Sequence, residues 1–147
     1  MTLNARSPEH AVELLDHAFN NGDLDAVLSF YEDAAVVVAE PSRTIRGMAE
    51  LRTFFESAMR SGASARQLKT RVIEADGVAL FLSRWTLTSG AGQLDTEPRT
   101  FVATTVFRRQ PDGSWKALID NPFGPLLLEW EERPTDLAKA SPNRHNA

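Results

Sequence analysis

A chain of 147 residues, 42% apolar and 24% charged, has the make-up of one globular domain long enough to bury a core without staples. A net charge of -4 with no lysine- or arginine-rich run argues against nucleic acid or an anionic membrane surface as partner. There is no cysteine, so disulfides, thiolate nucleophiles and thiolate metal sites are excluded together. No apolar run reaches signal-peptide or bilayer-spanning length, which makes the cytoplasm the default compartment.

Ser7, Pro8 and Glu9 mark a helix start: a hydroxyl cap, a proline whose missing N–H costs nothing there, and an acid in the first turn. Ala11, Leu14, Leu15, Ala18 and Phe19 then share one helical face. Gly22 ends this helix, and Asp23 caps a second whose apolar residues are Leu24, Val27, Leu28 and Tyr31. Ala34 to Ala39 is β-branched at its centre and too short for a helix, so it predicts a buried strand, with a turn at Glu40–Arg43. Gly47 opens a third helix carrying Leu51, Phe54, Phe55, Ala58 and Met59 at helical spacing, and Gly62 lies just beyond its end.

Downstream, residues 65–75, 78–88, 96–110 and 115–121 predict strands. They are separated by Asp76-Gly77, Ser89-Gly90-Ala91-Gly92 and Pro111-Asp112-Gly113, and aspartate-glycine pairs between such runs signal hairpins. Helices followed by an antiparallel meander predict a single α+β domain over residues 1–132, in which 126–132 is a short helix or strap and 133–147 a polar tail. Val78-Ala79-Leu80-Phe81-Leu82 is apolar on both parities, which suits a strand covered on both faces and points to dimerisation through the sheet.

Five pieces carry a resemblance across roughly residues 8 to 125: Gly22-Asp23-Leu24-Asp25, Phe30-Tyr31-Glu32-Asp33-Ala34, Arg46-Gly47, Arg84-Trp85 and Trp115-Lys116-Ala117-Leu118-Ile119-Asp120. In their order and spacing the chain resembles the nuclear transport factor 2-like superfamily, which includes ketosteroid isomerase and the small polyketide cyclases. The resemblance implies a cone: a curved antiparallel sheet with three N-terminal helices packed in its concave face, a pocket inside, and homodimers formed through the sheet.

The resemblance also suggests where chemistry would sit. In isomerase-like relatives the general base follows the first strand in an acid-proline pair, which Glu40-Pro41 matches with a shift of one residue; the alternative is a solvated turn glutamate. That enzyme's two oxyanion donors have no counterpart, because Leu15 or Asp16 stands where its tyrosine falls and Thr105 where its strand aspartate falls. Steroid isomerisation is therefore not expected.

Asp120 closes the last strand, where cyclase-like relatives carry an acid that works on substrate. The alternative is a turn-former before Pro122, and simple alternation puts Asp120 opposite Trp115, so reaching the same cavity requires a bulge. Alternation likewise sends one of Arg84 and Trp85 inward. An inward arginine needs Asp120 or Glu40 as partner and would resemble the superfamily's epoxide hydrolases; an outward one is a surface residue.

The candidate catalytic residues are thus Glu40 and Asp120. The candidate substrate-binding residues are Phe19, Tyr31, Phe55, Arg84, Trp85, Thr105 and Asn121. His10, His17 and His145 form no cluster of ligand spacing, and neither metal nor cofactor is expected. Two functions follow. One is a cofactor-free isomerase, cyclase or hydrolase-like enzyme acting on a small hydrophobic molecule; the other is a non-catalytic ligand-binding or association module.

Overall fold

The first two helices start where their capping side chains dictate. Ser7 Oγ accepts the His10 N–H at 3.0 Å ahead of α1 (Pro8–Asn20), and Asp23 accepts the Ala26 N–H at 3.2 Å ahead of the short α2 (Leu24–Leu28). The computed structural model describes residues 4–88 and 98–132. The hairpin tip expected at Ser89–Gly92 and the tail over 133–147 lie outside the described residues.

After α2 the chain runs through β1 (Tyr31–Glu40), β2 (Arg43–Arg46) and α3 (Gly47–Arg60). Four strands follow, β3 (Ser64–Ala75), β4 (Val78–Thr88), β5 (Arg99–Arg109) and β6 (Trp115–Asp120), and a 3-10 strap spans Gly124–Glu129. The strands form one six-stranded sheet in the order β2-β1-β6-β5-β4-β3.

The sheet is mixed rather than wholly antiparallel, because β1 pairs with β6 in parallel. A parallel neighbour needs a long crossover, here everything between β1 and β6, and no local sequence signal announces such a pairing. Two further boundaries move. Tyr31 opens β1 instead of ending a helix, and Arg43–Arg46 pairs back on β1 across a turn made by Pro41 and Ser42.

α1 packs on β3, β4 and β6 while α3 packs on β1 and β2, so the helices cover one face of the curved sheet. Ala11 and Ala18 are buried on α1, and their small side chains let the helix lie close to the strands. Leu51 of α3 and Val27, Tyr31, Val37 and Phe107 are almost completely buried around it. Phe81 and Phe107 meet edge-on at 5.8 Å between ring centroids, as do Phe19 and Phe55 at 6.4 Å. No helix among the described residues is long and apolar enough to cross a membrane.

Two β-bulges set which side chains face inward. In β3, Gln67 opposes Trp85 but Lys69 opposes Arg84, so Leu68 is the extra residue. In β6, Ala117 opposes Phe107 but Ile119 opposes Val106, so Leu118 is the extra residue. A bulge inverts the face presented by everything beyond it.

The strap is anchored by Gly124, whose φ is +53° and whose missing Cβ would lie 2.4 Å from the Val102 carbonyl oxygen. Both the backbone conformation and the close approach favour glycine there. Gly124→Ala is expected to destabilise the fold by about 2–3 kcal/mol, read as a fall in Tm of several degrees; an unchanged melting curve would mean the strap does not seat on β5.

Candidate functional site

Between the helices and the sheet lies an open-mouthed cavity of about 350 Å³. That is the low end of the range for small-molecule pockets, about 300–1,000 Å³. Its walls are mainly apolar and aromatic, with Phe19 from α1, Phe54 and Phe55 from α3, Trp85 from β4 and Phe107 from β5 among them. Against this background two carboxylates stand out, Asp16 and Asp120. No lysine, arginine or histidine lines the cavity among the described residues.

Asp120 reaches the cavity through the bulge at Leu118. Upstream of it, Trp115 and Ala117 point inward; strict alternation would then turn Ile119 inward and Asp120 out. Instead Ile119 is 42% exposed and Asp120 lines the cavity. Its Oδ2 accepts the Tyr31 hydroxyl at 2.6 Å and its Oδ1 accepts the Thr105 hydroxyl at 3.1 Å. Tyr31 is brought there by the parallel pairing that sets it beside Ala117, and Thr105 by its inward position on β5.

Burial raises the Asp120 carboxyl above its ordinary range, and the two hydroxyl donors oppose that rise by favouring the charged form. The Tyr31 phenol is itself held well above its usual value, first by burial and then by the negative charge of Asp120. It therefore remains a hydrogen-bond donor at all ordinary pH.

Asp16 enters from α1. Val12, Asp16 and Phe19 recur at helical spacing, and all three line the cavity. Gln67 Nε2 donates to Asp16 Oδ2 at 2.9 Å, and the Ser83 hydroxyl donates to Gln67 Oε1. Burial pushes the Asp16 carboxyl up from 3.8 to about 6; the Gln67 hydrogen bond opposes the rise, and the charge of Asp120 adds to it.

The expected site residues divide accordingly. Phe19, Tyr31, Phe55, Trp85, Thr105 and Asp120 all line the cavity. Glu40 does not: it is exposed at the end of β1, with its Oε2 3.3 Å from Arg43 Nε. The irregularity between Val38 and Glu40 leaves Val38 and Ala39 as the cavity wall and carries Glu40 into the β1–β2 turn.

Arg84 is exposed on the outer face of β4, and its neighbour Trp85 takes the inward position. Asn121 also stays out of the lining. Its amide donates to Thr104 Oγ1 at 3.1 Å and to the Gly124 carbonyl at 3.2 Å, which shapes the entry into the strap. That turn places Pro122 and Phe123 on the cavity rim, where the Pro122 carbonyl accepts the Trp85 indole N–H at 2.7 Å.

Asp16 and Gln67 were not among the expected site residues. For Asp16 the signal was present as a carboxylate inside the Val12–Phe19 stripe; for Gln67 the bulge at Leu68 removed it. Chemically, the cavity offers two proton-accepting groups with differing hydrogen-bond support, facing an apolar space. It has no acid cluster that could hold a metal among the described residues.

The sequence model of the SnoaL-like domain matches residues 11–118. No curated protein matches the sequence. Among solved structures, the chain is similar to a candidate dehydratase of the NTF2-like family from Streptomyces avermitilis, at 21% identity over 75% of this chain and 87% of that one, TM-score 0.66. It is similar to a candidate ketosteroid isomerase from Shewanella frigidimarina, at 15% identity over 75% and 89%, TM-score 0.64. A third is ActVI-ORFA from Streptomyces coelicolor, at 14% identity over 75% and 88%, TM-score 0.65. At such identities the likeness is one of fold. With the cone, its inward helices and the match over most of the chain together, this protein belongs to the SnoaL-like domain family of the NTF2-like superfamily.

Proposed function

We propose that this protein is a cofactor-independent acid–base enzyme, an isomerase or cyclase acting on a small hydrophobic molecule, with Asp120 as its general base. The observation that carries this reading is the Asp120 carboxylate itself, which lines an apolar cavity and is oriented by two hydroxyl donors from different strands. A carboxylate partly removed from water and fixed in direction is poised to accept a proton from carbon.

Tyr31 and Thr105 each donate to one carboxylate oxygen of Asp120, which lines the cavity. Both donors favour the charged form against the effect of burial, and they fix its orientation. Phe19, Phe55 and Trp85 supply the apolar surface that would hold the ligand. The test is exchange of the α-protons of 1-tetralone, a bicyclic neutral ketone, followed by NMR in deuterium oxide. Enzyme-dependent exchange that Asp120→Asn removes is expected; exchange indifferent to that substitution overturns the assignment.

The outer sheet face supports a homodimer. Ile73, Leu80, Val106 and Ile119 form one row across β3, β4, β5 and β6, each paired with the next, and three of the four are exposed by more than a third. A continuous aliphatic row on a sheet face is the kind of surface a second copy covers. Leu80→Glu is expected to convert a dimer to a monomer in sedimentation equilibrium while leaving the circular dichroism spectrum unchanged. A wild type that is already monomeric at micromolar concentration would remove this proposal.

A further inference from the structure

The Asp120 reading leaves the second carboxylate of the cavity without a task. Asp16 sits on the helix wall, while Asp120 sits on the sheet wall. A buried acid is costly to retain in an apolar cavity, and substituting an apolar residue for it would remove that cost. Here the acid is instead held in place by a hydrogen-bonded chain that crosses two strands, from Ser83 on β4 to Gln67 on β3 to Asp16 on α1.

The direction of that chain is informative. Ser83 donates to the carbonyl end of the Gln67 amide, which fixes the amide so that its NH₂ end faces Asp16. Gln67 therefore occupies Oδ2, and Oδ1 has no protein hydrogen bond among those described. The bulge at Leu68 is what turns Gln67 inward, since the residues beyond it present the opposite parity. Gln67 and Ser83 are positioning residues: they aim one carboxyl oxygen at the cavity.

We propose that Asp16 is the second reacting group of this cavity, the acid that gives its proton to the carbonyl oxygen of a neutral, enolisable ketone while Asp120 takes the proton from the adjacent carbon. The proposal rests on Asp120 being the base. In the forward step the C–H bond breaks and its electron pair becomes the C=C bond of an enol. The carbonyl π pair moves to oxygen, which takes the Asp16 proton.

Asp120 ends as the acid and Asp16 as the carboxylate, so charge and protons balance with no further reactant. Where the ketone carries a β,γ double bond, the enol is a conjugated dienol. Return of the proton from Asp120 to its γ-carbon, with the double bonds shifting and Asp16 recovering its own proton from the enol oxygen, then completes an isomerisation. For a simple ketone the proton returns to the same carbon, as exchange. The reactive state is the singly protonated pair, which two like charges in one cavity favour.

The groups facing Asp16 are Asp120 from β6, the Tyr31 phenol from β1 and the Gln67 amide from β3. No cation faces it among the lining residues. A cavity with two carboxylates and no cation disfavours carboxylate and phosphate substrates, which sets the substrate class as neutral. Asp16 must hold its proton to react, so activity falls as pH rises through about 6, where burial has placed this group.

The experiment follows 1-tetralone in two ways across about pH 4.5 to 8: the rate of α-proton exchange, and affinity by tryptophan fluorescence. For the wild type, exchange is expected to fall on the alkaline side with a midpoint near 6, and affinity for this acceptor-only ketone to drop about tenfold. Asp16→Asn abolishes both pH dependences and lowers the peak exchange rate roughly ten- to a hundredfold. Gln67→Leu moves the alkaline limb to higher pH, because the hydrogen bond that held the Asp16 carboxyl down is gone.

Exchange that climbs without a break through pH 6 to 8 in the wild type, or an alkaline limb that persists in Asp16→Asn, overturns the assignment. Failure of the base reading looks different: Asp120→Asn retains exchange, while the affinity profile still reports Asp16.

Discussion

Asp120→Asn should lower the rate of α-proton exchange by about 10²- to 10⁴-fold, the usual contribution of a positioned general base. The substitution is nearly isosteric, and the asparagine carbonyl can still accept one of the hydroxyls that now hold the carboxylate, from Tyr31 or Thr105. The fold should therefore survive, as checked by an unchanged circular dichroism spectrum and a melting temperature at or above that of the wild type. Loss of exchange with loss of fold would say nothing about chemistry, so Thr105→Val provides a control. It removes one hydroxyl donor, leaves the carboxylate in place, and should raise the pH at which the base becomes active. A Thr105→Val profile superimposable on the wild type would sever the link between that hydroxyl and the base.

Asp16→Asn should stabilise the protein at pH 7.5. The folded-state carboxyl lies at about 6 against an ordinary 3.8, so the folded protein binds this proton more tightly than the unfolded chain does. Below about pH 4 Asp16 is protonated in both states and costs nothing. As pH rises through 6 the folded state must carry a charge it disfavours, and stability is lost over that interval. The full difference corresponds to up to about 3 kcal/mol above pH 6. Asparagine keeps an oxygen for Gln67 and carries no charge, so most of that loss should be recovered. The expected signature is a gain in Tm of roughly 3–8 °C at pH 7.5 that shrinks to nothing near pH 4. A gain that is the same at both pH values would mean the effect is one of packing. Stability given up in this way is a common mark of a functional group kept against the interest of the fold.

Much of this architecture was legible because it is locally encoded. Ser7-Pro8-Glu9, Gly22-Asp23 and the aspartate-glycine turns each act over a few residues, and each produced the expected helix start or reversal. Alternation puts Arg84 and Trp85 on opposite faces of β4, and the structure shows Trp85 to be the inward one. Asp120 was legible conditionally, since its place at the end of the last strand argued for a site while its place before Pro122 and its parity argued against one, until the bulge turned it inward. Glu40 became a candidate through the acid-proline pair of the resemblance, with a solvated turn as the alternative, and the irregularity after Val38 leaves it in the turn. The parallel β1–β6 pairing joins residues some ninety positions apart, and it alone sets Tyr31 against Asp120; no window of sequence contains both.

The bulges at Leu68 and Leu118 also say how such a site is gained and lost. Asp120 and Gln67 each stand one residue from a position where they would face solvent. Deleting Leu118 would keep Ala117 opposite Phe107 and Ile119 opposite Val106, so Asp120 would still face the cavity. Straightening β6 with Leu118 retained would turn Asp120 outward and put an isoleucine in its place as a hydrophobic plug. In β3, likewise, Gln67 stays opposite Trp85 if Leu68 is deleted and turns away from the cavity if the strand is straightened with Leu68 retained. Chemistry in this fold therefore depends on where an extra residue is taken up as a bulge as much as on which side chain stands at a position. Two chains of this lineage can keep every residue type now in the cavity, differ only in where a strand bulges, and share nothing of its reactivity.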